Sequence, residues 1–335
     1  MFFYLGGTDG LHVYRGDAAG AAWHGVQYLP SEDSLTRFVL HTNKKILYGL
    51  HVACPLISAF AIDPQAGTLR LVNRIRSGGL QPTSATCSRD GRFLLVAHGG
   101  SAHLGIIPLA VDGALGPARP PIALPGQARA QDVIMDPSGR FAVVTDAGEN
   151  NLCVLHFDAA SGHASPHQIL RARPGDAPHR AVFHPSMPLL FVSNAGNSTV
   201  TAYHWNAAMG RLSFAQSIRT IPSDWPAPNI AADIAIGADG RYLYLANRGH
   251  DSLAIFAIQP GRGKLFTRAR EAPGRTPHGL AWNTDGSRLL VANRDSGSIA
   301  RYGVILANGM LNRLEPDLAV DHPVAIALLD AGSSE

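Results

Sequence analysis

Leu243 to Ser252 reads LYLANRGHDS, and 46 residues later Leu289 to Ser298 reads LLVANRDSGS. With relaxed identity the phrase recurs as FLLVAHGGSA from Phe93, FAVVTDAGEN from Phe141 and LLFVSNAGNS from Leu189. Two weaker copies are ILYGLHVACP from Ile46 and FFYLGGTDG from Phe2. Aligned on the residue that ends the apolar run, the column is Gly7, His51, His98, Asp146, Asn194, Asn247 and Asn293. Its intervals are 44, 47, 48, 48, 53 and 46 residues, and a period of that size signals a repeat architecture.

Each unit carries more than the phrase. A tight Asp-Gly or Ser-Gly turn precedes most copies, as in RDGR (89–92), PSGR (137–140), ADGR (238–241) and TDGS (284–287). Gly there tolerates the positive φ that a hairpin turn demands. A second apolar run follows each copy, then a Gly-containing turn such as DAASG or NAAMG, then a more polar strand. Four short strands per unit, with no helical period between them, describe a propeller blade. The N-terminus supplies three strands, and PVAIALL (323–329) supplies a leftover inner strand. The expectation is an all-β, seven-bladed propeller with four antiparallel strands per blade. One domain spans 1–335, with blades over about 2–330 and a closing blade built from both termini. Closure of this kind removes exposed sheet edges.

Composition agrees with a folded, turn-rich chain: 46% of residues are hydrophobic, with 35 Gly and 23 Pro. The net charge is +3, and almost every cation is Arg, since Lys occurs only at 44, 45 and 264. No basic run suits a nucleic-acid partner. No stretch forms a clean membrane span, and the N-terminus lacks the pattern of a signal peptide, so a soluble cytoplasmic protein is expected. Cys54, Cys87 and Cys153 are too widely spaced for a metal and read as buried apolar fillers in a reducing compartment. No HxH, HExxH, phosphate loop, dinucleotide fingerprint or G-x-S-x-G elbow is present, so no metal and no cofactor is expected.

Adjacent strands in a blade run antiparallel, so the end of the second strand lies beside the start of the inner one. Those two sets of residues should meet at one mouth of the central channel. From the second strands come His51, His98, Asp146, Asn194, Asn247 with Arg248, and Asn293 with Arg294. From the inner strands come Arg37, Thr83, Gln131–Asp132, His179–Arg180, Asp233, His278 and His322. A concave ring rich in Arg and His suits a small anionic ligand, because Arg grips carboxylate and phosphate bidentately. The segment RTIPSDWPAPNIAAD (219–233) is the longest insertion between units and reads as a lid contributing Trp225 and Asn229.

The string DGRYLYLANRGHDSLAIFAI (239–258) resembles the fifth blade of the lactonase family of seven-bladed propellers. That family includes propeller-type 6-phosphogluconolactonases and carboxy-cis,cis-muconate cyclases. RFLLVAHGG, PHRAVFHP, STVTAYHW and HPVAIALL extend the resemblance over essentially the whole chain. It implies an active site with a His from the third blade, an Arg and a Glu from the fourth, and an Arg from the fifth. The fifth-blade Arg corresponds to Arg248. The fourth blade, usually Pro-Arg-His, reads Pro178-His179-Arg180, and its usual Asn-Glu reads Asn194-Ala195. The third blade has Ala130-Gln131-Asp132 in place of a His, and the fifth blade's Ala-Glu-Ile reads Ala232-Asp233-Ile234.

The expected activity is hydrolysis of a sugar lactone, 6-phosphogluconolactonase-like. His179 would be the base, oriented by Asp146 or Asp233, with Arg180 and Arg248 holding the anionic group or oxyanion. Arg294, His278, Asp146, Asn194, Asn247, Asn293, His98 and His51 would contact substrate. The alternatives are a catalytically silent propeller that binds a small acid or serves as a scaffold, and a muconate-type cyclase. The oligomeric state is not specified by the sequence.

Overall fold

The computed structural model describes residues 1–16, 23–31, 33–283 and 285–329. Thr284 of one expected turn, the last expected blade residue at 330 and the C-terminal tail lie outside the described residues. The chain forms seven four-stranded antiparallel sheets arranged as a propeller. The inner strands of blades 1 to 6 are Leu35–Leu40, Pro82–Cys87, Ala130–Met135, Pro178–Phe183, Ile230–Ile236 and Pro277–Trp282. Blade 7 takes its inner strand from the C-terminal end, Ala325–Leu329, paired antiparallel with Phe2–Gly6. Every inner strand touches those of both neighbouring blades, so the ring closes.

The second strands are buried along their whole length in five blades, because both faces pack on adjacent sheets. A strand buried on both faces reads as a continuous apolar run, which is why the repeated phrase is so conspicuous. The outer strands are mostly exposed or half-buried, as solvated edges are. The outer strand of blade 2 is reduced to Ile122–Ala123.

Neighbouring blades are keyed together by the glycine that turns the third strand into the fourth. Gly67, Gly113, Gly162, Gly210, Gly263 and Gly309 all have positive φ. A Cβ on any of them would lie between 2.0 and 2.3 Å from Phe2, Ile46, Phe93, Phe141, Leu189 or Tyr242 respectively, the residue at or next to the start of the preceding blade's second strand. In three of these joints a buried tyrosine also donates to that turn: Tyr4 to the Gly67 carbonyl, Tyr48 to Gly113 and Tyr244 to Gly309. The glycines are thus required by backbone conformation and by inter-blade packing together.

Candidate active site

The site is built by a repeated irregularity. In six blades the inner strand slips register at its start: between Leu35 and Arg37, Pro82 and Ser84, Ala130 and Asp132, Pro178 and Arg180, Ala231 and Ile234, and Pro277 and Gly279. A bulge leaves an extra residue outside the ladder and re-aims its side chain. In five blades the extra residue is Thr36, Thr83, Gln131, His179 or His278, and all five line one cavity of ≈ 280 Å³ at the channel. Arg37, Arg180, Arg248, Val52 and Val324 complete its wall.

A second layer is formed by the residues that follow five of the bulges, Arg37, Ser84, Asp132, Arg180 and Gly279, and by Asp233 from within the two-residue slip of blade 5. Its charges are cross-linked. Arg37 Nη1 of blade 1 lies 3.3 Å from Asp233 Oδ1 of blade 5, and the other Asp233 oxygen accepts from Leu280 N at 2.9 Å. Arg180 Nη1 donates to the Gln131 carbonyl at 2.6 Å and the Thr83 carbonyl at 3.3 Å, and lies 3.6 Å from Asp132 Oδ1. Asp132 also accepts from Ser84 Oγ, Val133 N and Ala181 N. Arg248 differs from both of these arginines. Its Nε is buried without a hydrogen-bond partner, and among the described residues no ion pair holds it.

Electrostatics follow from this layout. Burial, then Arg180 and Arg248, hold His179 well below the ordinary imidazole value, with the backbone at Ala232 acting in the opposite direction. Burial, Arg248 and Arg180 push His278 down to about 3, against the pull of Asp233. Both rings are therefore neutral at physiological pH and can accept a proton. His278 Nδ1 lies 3.2 Å from the Val324 carbonyl, which can only accept, so Nδ1 carries the hydrogen and Nε2 is the acceptor. Burial and Arg37 lower Arg180 to about 10 despite Asp132 and Asp233, and it remains charged at neutral pH. Asp233 is lowered: Arg37, Arg180 and the Leu280 amide outweigh its burial, so it is a carboxylate.

Of the expected site residues, His179, Arg180, Arg248 and His278 come together around the cavity. Asp233 lies in the layer beneath, bound to Arg37 rather than oriented toward His179. The column that ends the second strands does not reach the cavity lining. His51, His98, Asp146, Asn194, Asn247 and Asn293 are each at most 1% exposed and tie strands and loops within the blades. His51 Nε2 meets Ser58 Oγ, and His98 Nε2 meets Ser77 Oγ. Asp146 accepts from the amides of Arg129, Gly148 and Glu149. Asn194 donates to Thr199 and Thr201, Asn247 accepts from Thr220, and Asn293 donates to the Pro273 carbonyl.

Arg294 is about half exposed and lies 3.1 Å from Asp295, outside the cavity wall. The 219–233 segment does not cover the cavity: Trp225 packs edge-on against His250, and Asn229 binds Ser198, Asn247 and the His250 amide. Cys54 is exposed, contrary to the expected buried filler, because it sits in the turn after the second strand of blade 1. Arg37 reaches the mouth as its strand position implies, though its role is not legible in the sequence, and Thr36 is a site residue that the sequence does not announce, since nothing in SLTRFVL (34–40) marks a bulge.

The family model described as Lactonase, 7-bladed beta-propeller matches residues 4–328. The chain belongs to that family. It is similar to the 6-phosphogluconolactonase of Bacillus subtilis, at 24% identity over 336 residues, covering 97% of this chain and 95% of that one. It is also similar to the 6-phosphogluconolactonase of Formosa agariphila, at 27% identity and 93% of both chains. Among solved structures, the periplasmic gluconolactonase of Pseudomonas aeruginosa superposes with TM-score 0.91 at 21% identity, over 98% of this chain and 99% of that one. That likeness establishes the fold. In blade 4 the bulge turns His179 to the cavity, and Arg180 beside it completes the wall.

Proposed function

We propose that this propeller hydrolyses a sugar lactone carrying an acidic substituent, with a 6-phosphogluconolactone-like compound as the first substrate to test. The observation that carries the reading is the half-buried Arg248, its Nε buried and without a partner, beside the neutral His179 in a cavity sized for a small metabolite. Lactone hydrolysis needs a base for water and a cation facing the oxyanion. His179 takes a proton from water as the water oxygen bonds to the carbonyl carbon. Arg248 donates to the oxygen that becomes negative. The ring C–O bond then breaks, and the His179 proton passes to the departing alkoxide, which becomes the product hydroxyl. His278 Nε2 accepts from a substrate hydroxyl, and Arg180 braces the floor beneath the reacting carbonyl.

A substrate anion strengthens this arrangement. Its charge opposes the arginines that depress His179, and so raises the basicity of the imidazole when substrate is bound. A second reading, a silent anion binder, draws on one fact: among the described residues no carboxylate is hydrogen-bonded to either histidine ring, and Asp132 and Asp233 serve Arg180 and Arg37. Hydrolysis of 6-phosphoglucono-δ-lactone at near-neutral pH, followed against its spontaneous rate, separates the two. A rate above buffer supports the hydrolase. A rate equal to buffer, with thermal stabilisation by 6-phosphogluconate, supports the binder. A cytoplasmic place of action is part of the proposal, and the exposed free thiol of Cys54 suits a reducing compartment.

A further inference from the structure

We infer that Arg37 is the specificity-determining residue that reads the acidic substituent of the lactone, while Arg248 serves the reacting carbonyl. The assignment rests on the lactone-hydrolysis reading and divides its cationic roles. Arg180 is occupied by two backbone carbonyls and Asp132, and is 12% exposed. Arg37 is 31% exposed and makes one contact, at the long distance of 3.3 Å, through Nη1 alone. Guanidinium has five N–H donors, so most of those of Arg37 have no protein acceptor among the described residues. A second anion can share a guanidinium in this state without displacing its first partner.

Position supports the same division. Arg37 stands on blade 1 and spans the channel to blade 5, so it borders the cavity on one side. On the other side it borders a second chamber of ≈ 110 Å³ that also contains Asp233 and Gly279. Gly279, the second-layer residue of blade 6, lines this chamber too and contributes no side chain to it. Arg248 is among the cations that act electrostatically on His179 and His278, as an oxyanion donor beside a base must, whereas Arg37 acts on Arg180 and Asp233 in the layer beneath. The bound lactone therefore lies with its carbonyl toward blades 4 and 5 and its anionic tail toward blade 1. Phosphate ester and carboxylate share the chemistry that Arg37 would recognise.

The test is the ratio of kcat/KM for 6-phosphoglucono-δ-lactone, and for the carboxylate-bearing glucaro-1,4-lactone, each against neutral glucono-δ-lactone. In Arg37→Gln the ratio for the preferred anionic lactone should fall at least about tenfold, mainly through KM; the arm that falls identifies the anion. A ratio within twofold of wild type on both arms overturns the inference. Because Arg37→Gln strands the Asp233 carboxylate, the double variant Arg37→Gln/Asp233→Asn is measured beside it and should show the same loss, and Arg37→Lys should recover part of the preference. Calorimetric titration with 6-phosphogluconate, glucarate and gluconate gives a reading that needs no turnover. Wild type should bind 6-phosphogluconate or glucarate more tightly than gluconate and Arg37→Gln should not; equal wild-type affinities for all three acids also overturn the inference. Wild type that hydrolyses none of the lactones, yet binds an acid through Arg37, defeats the hydrolase reading and leaves this one standing.

Discussion

Arg37 and Asp233 meet across the central channel, Nη1 to Oδ1 at 3.3 Å, although 196 residues separate them in sequence. The pair joins blade 1 to blade 5 and floors the cavity. With Arg180 and Asp132 it neutralises the second layer, so among the described residues that line the cavity Arg248 is the arginine with no ion-pair partner, its Nε buried and without a hydrogen-bond partner. The consequences for activity and stability diverge accordingly.

Arg248→Ala removes a cation with no partner to strand. Folding should be little changed, with a melting temperature within a few degrees of wild type. Activity should fall steeply: an oxyanion donor is worth about 3 kcal/mol, or roughly a hundredfold in kcat. Steady-state kinetics with parallel thermal melts check both halves.

Arg180→Ala should do the reverse in stability. It leaves the buried Asp132 without its counter-ion and the carbonyls of Thr83 and Gln131 without a donor. Breaking a buried pair in this way costs about 3 kcal/mol or more. Urea unfolding should show a lowered midpoint with the same slope; an unchanged midpoint would show that the floor does not depend on Arg180.

The pH dependence carries a definite sign. A base must be neutral to act, and His179 is neutral above its lowered pKa, so activity persists as pH falls through 6.5 and is lost only well below it. A kcat/KM profile with its acid limb near 6.5 would contradict the burial and cationic field described. His179→Gln should lower kcat by about 10²-fold or more and abolish that limb.

Gly210→Ala tests the joint between blades. The new Cβ would meet Phe141 Cε1 at 2.2 Å, at a φ of +62°. A loss of at least about 2 kcal/mol is expected, from overpacking and backbone strain together. Gly175→Ala is the control, with the same sign of φ and no atom within 4 Å, and should lose much less.

The propeller was legible because its period is written in the doubly buried second strands, whose apolar runs recur whatever the loops do. The closing blade was legible from PVAIALL, an inner strand with no successor. The site was half legible. Strand order alone brought His179, Arg180, Arg248 and His278 to one mouth, and there they are. Strand order does not say which face of a strand a residue takes, and a shift of one position reverses it. The bulges make that shift in six blades, sending Thr36 and His278 to the cavity while Asn194 and Asn293 stay inside the blades. Arg37 was placed at the mouth by strand order, but its role was not legible, since that role depends on Asp233, a partner four blades along the chain.

The most direct test of the account is a crystal structure with 6-phosphogluconate bound. The account predicts the product carboxylate within hydrogen-bond distance of Arg248 and His179, and the phosphate on the Arg37 guanidinium. A ligand seated on the outer rim, or one that leaves Arg248 without contact, would contradict it.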